Sequence, residues 1–248
     1  VTDAELRDLQ KRLASDADRR KRDWWTRYLK GEAAFRGTPM SDVRRHVHAW
    51  WEAHGFDAST QADRLGVPLA LLGEPLSEDK LAGILLLGER FVPGGWLDPE
   101  RDLLRLAAVF DDGDLADWNV VDWFCVKVLG PWVASLDGTG RSSRRAHLGR
   151  AIAGWRDAPV LWRRRASAVA FVNLVKRGDA FFDGFVDEVV ASCAVLIRSD
   201  ERFAQTGAGW VLRELSVAEP ERVRRFLDEH GDRMSSEARR SAGRKLET

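Results

Sequence analysis

Apolar residues along this chain recur at the three- and four-residue spacing of an α-helix, and no segment shows the strict alternation of a sheet. Gly, Pro, Ser or Asp interrupts the pattern about every 12 to 20 residues, as helix ends require. Thr2-Asp3-Ala4-Glu5 is a capping-box pattern that opens the first helix. A second helix is predicted over Arg19–Lys30 and a third, capped by Ser41, through Trp51. Further helices are predicted over 57–73, 77–90, 99–110, 116–129, 142–156, 160–177, 179–197, 200–217, 219–229 and 234–246. Gly94-Gly95 and Gly138-Thr139-Gly140 break the periodicity, and Pro159 and Pro220 sit where a helix can begin. Paired helices without a long linker predict an all-α chain, an α-solenoid whose stacked units share one core and present a concave face. No clean sequence period marks the units.

Charge changes this picture through its distribution rather than its total. The 39 basic and 39 acidic residues cancel. Arg141 to Arg165, however, holds eight arginines against one acid, while Asp98 to Asp117 holds seven acids against two arginines. Such polarity suits the steering of an anionic partner, and solvated helix faces would also produce it. Cys125 and Cys193 form neither a disulfide framework nor a zinc pattern. The first residues lack the apolar core of a signal peptide, and no stretch approaches the ~20 apolar residues that span a bilayer. The expectation is a cytoplasmic chain with no membrane association. Trp24-Trp25 and Trp50-Trp51 are assigned to packing between repeats. His46 and His48 stand two apart on a helix and do not face one another, so no metal site is expected there.

One carboxylate stands out. Trp118, Asp122, Cys125 and Leu129 follow at steps of four, three and four, placing Asp122 on one face of an apolar helix. Such a group must find a partner, lose its charge or perform chemistry. Arg163, Arg164 and Arg165 open a later helix, where positive charge opposes the helix dipole, so an anionic partner or a nearby acid is expected for them.

Trp118-Asn119-Val120-Val121-Asp122, Trp162-Arg163-Arg164-Arg165-Ala166 and Gly209-Trp210-Val211-Leu212-Arg213-Glu214 follow one another in that order. Together with Tyr28-Leu29-Lys30, Phe35-Arg36-Gly37-Thr38-Pro39 and Arg44-Arg45, this series resembles the AlkD-like DNA alkylation repair family over most of the chain. The resemblance implies a HEAT-like repeat array over residues 1–248 as one domain with duplex DNA along its concave surface, and a monomer is the natural expectation. It implies a monofunctional DNA glycosylase that excises cationic N3- or N7-alkylated purines without base flipping and without a metal or organic cofactor. Asp122 takes the catalytic role, and Trp118 and Trp210 wall the lesion deoxyribose and flanking backbone. Arg165 contacts a phosphate, with Arg163, Arg164, Arg213, Arg44 and Arg45 as further DNA-binding cations; three consecutive arginines leave a one-residue slip of register open. Tolerance of bulky adducts, and hence self-resistance to a DNA-alkylating natural product, is a further implication. The segment departs from the family pattern at Trp123-Phe124-Cys125 and Gly130-Pro131-Trp132, which make it bulkier. A non-catalytic HEAT-repeat DNA-lesion binder and a protein-interaction scaffold remain the alternatives.

Overall fold

The computed structural model describes residues 1–246, which form fourteen α-helices. Apart from one isolated bridge between Ala34 and Leu76, the described residues contain no β-structure. No described helix is long and apolar enough to cross a membrane. The chain packs as two compact units that meet in sequence between Trp123 and Phe124.

The first unit contains α1 (Asp3–Ser15), α2 (Arg19–Tyr28), α3 (Met40–Ala53), α4 (Gln61–Gly73), α5 (Ser77–Leu86), α6 (Pro99–Asp111) and most of α7 (Trp118–Phe124). The predicted capping box is formed: Thr2 Oγ1 accepts from the Glu5 amide, and the Glu5 carboxylate accepts from the Thr2 amide at 2.6 Å. α3 begins one residue before the predicted Ser41 cap, directly after Pro39, and has no side-chain cap. The predicted 57–73 helix is divided into a 3-10 turn, Phe56–Ala58, and α4. α1 packs on α3 and α3 on α5, while α4 packs on α5 and α6. This stacking of alternate helices is the packing of an α-solenoid. Trp50 and Trp51 are fully buried in it, as expected of packing residues, and their indole N–H groups donate to Glu5 O and Asp57 Oδ1.

The loop between α2 and α3 is held from α5. The buried Glu78 carboxylate accepts the amides of Arg36, Gly37 and Thr38 at 2.9, 2.7 and 3.1 Å. Beside it, Arg36 pairs with the fully buried Asp79 at 2.7 Å. Burial pushes the Asp79 carboxyl up, and the Arg36 hydrogen bond opposes that shift. Gly37 is obligatory: its φ is +97°, and a Cβ there would lie 2.1 Å from the Asp18 carbonyl oxygen. Glu78→Ala strands three amide donors, so unfolding free energy should fall by about 2 kcal/mol in a denaturant titration. An unchanged midpoint would mean the loop is held without this carboxylate.

The second unit contains α8 (Gly130–Ser135), α9 (Arg144–Ala153), α10 (Leu161–Val169), α11 (Phe185–Leu196), α12 (Arg202–Leu215), α13 (Pro220–His230) and α14 (Ser236–Gly243). α10, α12 and α14 stack in one layer, α9 and α11 in the other. The predicted 179–197 helix begins later, at Phe185, because a 3-10 stretch over Val175–Ala180 precedes it. Phe171, Phe181, Phe182 and Phe185 fill the core. Neighbouring helical segments approach closely at glycines. A Cβ on Gly130 would lie 2.4 Å from Ala170 O, and one on Gly209 2.6 Å from Ala238 O.

Candidate active site

α7 is set by Asp117, whose Oδ1 accepts the amides of Asn119 and Val120 at 2.9 and 3.1 Å, an N-cap that starts the helix at Trp118. Burial pushes the Asp117 carboxyl up, and the two amide bonds partly offset it. Trp118 and Asp122 are one turn apart and both half-buried, whereas Cys125 and Leu129 are fully buried. Cys125–Leu129 forms a π-turn, whose wider winding rotates the following residues relative to an α-helical register.

Around Trp118 the first unit gathers aromatic rings. Tyr28 meets the Trp118 ring edge-on at 5.8 Å and stacks on Trp24 at 5.0 Å. Asn119 and Trp123, next to Trp118 and Asp122 in the chain, line a cleft of about 670 Å³ together with Trp24, Trp25, Phe35 and Met40. Trp25 packs on Phe35 at 5.7 Å, but Trp24 is 50% exposed. The assignment of Trp24 to packing is corrected: α2 is a surface helix with no buried residue, and half of that side chain is left in solvent. The run Arg19-Arg20-Lys21-Arg22 just before the tryptophans was the available signal for a surface role.

In the second unit α10 packs on α12, joining the arginine run to the helix of Trp210. Arg165 is only 4% exposed, and its Nη1 donates to Phe203 O at 2.5 Å. Its guanidinium lies against Gly207, where a Cβ would come within 2.8 Å of Nη1, so the glycine makes room for the cation. Arg164 donates to Ala158 O and Pro159 O and pairs with Glu201 at 2.5 Å, the nearby acid expected for one member of the run. Arg163 lies over the Trp155 ring at 5.3 Å. Trp210 is half-buried on α12. One turn later Glu214 accepts from Lys245 at 2.7 Å, Arg213 at 3.0 Å and Lys176 at 3.1 Å. Neither lysine was singled out from the sequence, since they stand 31 and more residues from Glu214.

Burial raises the Glu214 carboxyl, but the hydrogen bonds from Lys245, Lys176 and Arg213 outweigh it and hold it at about 2 against an ordinary 4.5. A carboxyl lowered by folding stabilises the native state above its unfolded pKa, and that contribution disappears as pH falls through the folded value. Acid should therefore remove on the order of 2 kcal/mol between pH ~4.5 and ~2. Glu214→Gln should flatten that limb of a stability–pH curve; an unaltered limb would assign the acid sensitivity elsewhere.

Arg44 and Arg45 lie on α3 in ion pairs, Arg44 with Glu89 at 2.9 Å and Arg45 with Asp16 and Asp42 at 2.7 and 2.8 Å. His46 and His48 bond Asp16 and Glu89, respectively.

A family model described as DNA alkylation repair enzyme matches residues 9–246. The chain belongs to this family. Among solved structures it is similar to a predicted DNA alkylation repair enzyme from Enterococcus faecalis. The TM-score is 0.72 at 19% identity, over 93% of this chain and 97% of that one, a likeness of fold. No curated protein sequence matches it. For a DNA alkylation repair family member the substrate is DNA, a polyanion. Of the cations assigned to DNA, Arg44, Arg45, Arg164 and Arg213 already have carboxylate partners, which a phosphate would have to displace or share.

Proposed function

We propose that this DNA alkylation repair family member is a monofunctional DNA glycosylase, hydrolysing the N-glycosidic bond of N3- or N7-alkylated purines in duplex DNA. The observation that carries the reading is the placement of Trp118 and Asp122 one turn apart, both half-buried, on a helix that also lines an aromatic cleft.

Alkylation at N3 or N7 makes the purine a cationic leaving group, so no acid is needed to protonate it. As the C1′–N bond breaks, its electron pair passes to the purine, which leaves neutral, and positive charge develops on the sugar. A fixed carboxylate at Asp122 stabilises that charge more than it stabilises the ground state. It also orients the water whose oxygen bonds to C1′ and which gives up a proton. The indole face at Trp118 attracts the same cation and excludes bulk water, and the Gly209–Glu214 motif gives Trp210 the same role. Arg165 serves as a phosphate contact, with Arg163, Arg164, Arg213, Arg44 and Arg45 supplying further positive charge. The lesion stays stacked and is approached from its backbone, so no enclosing base pocket limits the size of the adduct, as a role in self-resistance to a bulky alkylating agent would require.

The test is release of free base from a duplex carrying a single N7-methylguanine or a bulky N3-adenine adduct. Release of the modified base, with an abasic product and no strand cleavage, is expected. Binding of the lesion duplex without release would leave a lesion-binding protein and remove the glycosylase. Faster release of the bulky adduct than of the methylated base would favour self-resistance over general repair.

A further inference from the structure

Helix α2 carries a cationic and aromatic face to whose residues the activity described above assigns no role, though Arg20, Lys21 and Trp24 line the aromatic cleft. Arg20, Lys21, Trp24, Arg27 and Tyr28 fall within about a third of the helical circumference at 100° per residue. All five are exposed. Among the described residues no carboxylate lies within ion-pairing distance of Arg20, Lys21 or Arg27. The Asp23 carboxylate sits on another side of α2 and engages Arg19 and Arg22 instead, at 3.7 and 3.4 Å. Trp24 and Tyr28, 50% and 53% exposed, are the only exposed Phe, Trp or Tyr rings among the described residues, and they stack on one another. An aromatic pair left in water beside three uncompensated cations is unfavourable for a surface with no partner. The pair also leads to the candidate site, since Tyr28 touches Trp118.

We propose that this face of α2 is a duplex-contacting surface: Arg20, Lys21 and Arg27 take backbone phosphates, and the Trp24–Tyr28 stack lies against deoxyribose and base edges. Cations interleaved with aromatic rings match the two components of nucleic-acid affinity, phosphate neutralisation and stacking. The inference rests on the family's DNA substrate and not on the glycosylase reading, so it concerns undamaged DNA as much as a lesion.

The test is a salt titration of the affinity of the full chain for an undamaged duplex, followed by fluorescence anisotropy. Arg20→Gln with Arg27→Gln should reduce the slope of log affinity against log salt by about 1.8, roughly 0.9 for each phosphate no longer neutralised. Arg19→Gln with Arg22→Gln removes the same charge from another side of the helix and should leave the slope nearly unchanged. Trp24→Ala should weaken binding about tenfold at constant slope, with Trp24→Phe restoring most of it. Unchanged melting temperatures would show that each variant folds. If both arginine pairs lower the slope equally, the helix contributes only a general field and the proposal is overturned. It is overturned too if Arg20→Gln with Arg27→Gln loses binding to anionic phosphatidylserine vesicles while duplex binding persists. Wild-type protein that binds duplex through α2 yet releases no base would sink the glycosylase reading alone.

Discussion

Asp122→Asn should slow release of an alkylated purine by roughly 10²–10³-fold, while affinity for the lesion duplex changes by less than about threefold. The substitution keeps the shape of the side chain and removes its charge. If the carboxylate stabilises developing positive charge on the sugar, the loss falls on the transition state and hence on the rate at saturating enzyme, not on binding. Asp122→Glu, which retains charge but moves it by one methylene, should recover part of the rate. Single-turnover base release gives the first quantity and duplex titration the second. Retained release by Asp122→Asn would make Asp122 a structural acid of α7, and equal loss of binding would make it a DNA-positioning group.

The second large effect concerns packing. Gly209→Ala should lower unfolding free energy by about 3 kcal/mol, because the new methyl would lie 2.6 Å from Ala238 O and 2.8 Å from its Cα. Both obstacles are backbone of α14, so no rotamer change relieves them and the two helices must separate. For a chain of this size that corresponds to a melting temperature about 6–12 °C lower. Trp210 is adjacent, so base release should fall with it. Gly66→Ala is the matched contrast: it is inside α4, with no atom beyond its chain neighbours and its own helix backbone within 4 Å of the added carbon, and a gain of up to about 1 kcal/mol is expected from helix propensity alone. Equal effects from the two substitutions would show that close approach of α12 and α14 is not what requires glycine at 209.

Gly209 illustrates how the sequence and the structure divide the explanation. As part of Gly209-Trp210-Val211-Leu212-Arg213-Glu214 it was visible as a motif, but nothing local says why a helix interior tolerates it. Arg165 is similar. Its place near a helix start was legible, whereas its burial against Gly207 depends on α12 packing beside α10. The Trp118–Asp122 spacing was legible as well, yet the π-turn that follows over Cys125–Leu129 was not. One extra residue in a turn leaves no mark in the apolar periodicity.

Helix content, helix order, the Thr2–Glu5 cap and the motif positions were determined by the sequence itself, because periodicity and capping act over three or four residues. Which groups those helices bring together was decided only by tertiary packing. Glu78 finds the Gly37 amide 41 residues away, and Lys245 finds Glu214 at a separation of 31. The same packing buries Trp50 and leaves Trp24 in water, though both belong to a tryptophan pair on a helix. Burial and charge pairing depend on which surface arrives opposite a side chain, and that surface comes from a distant part of the chain.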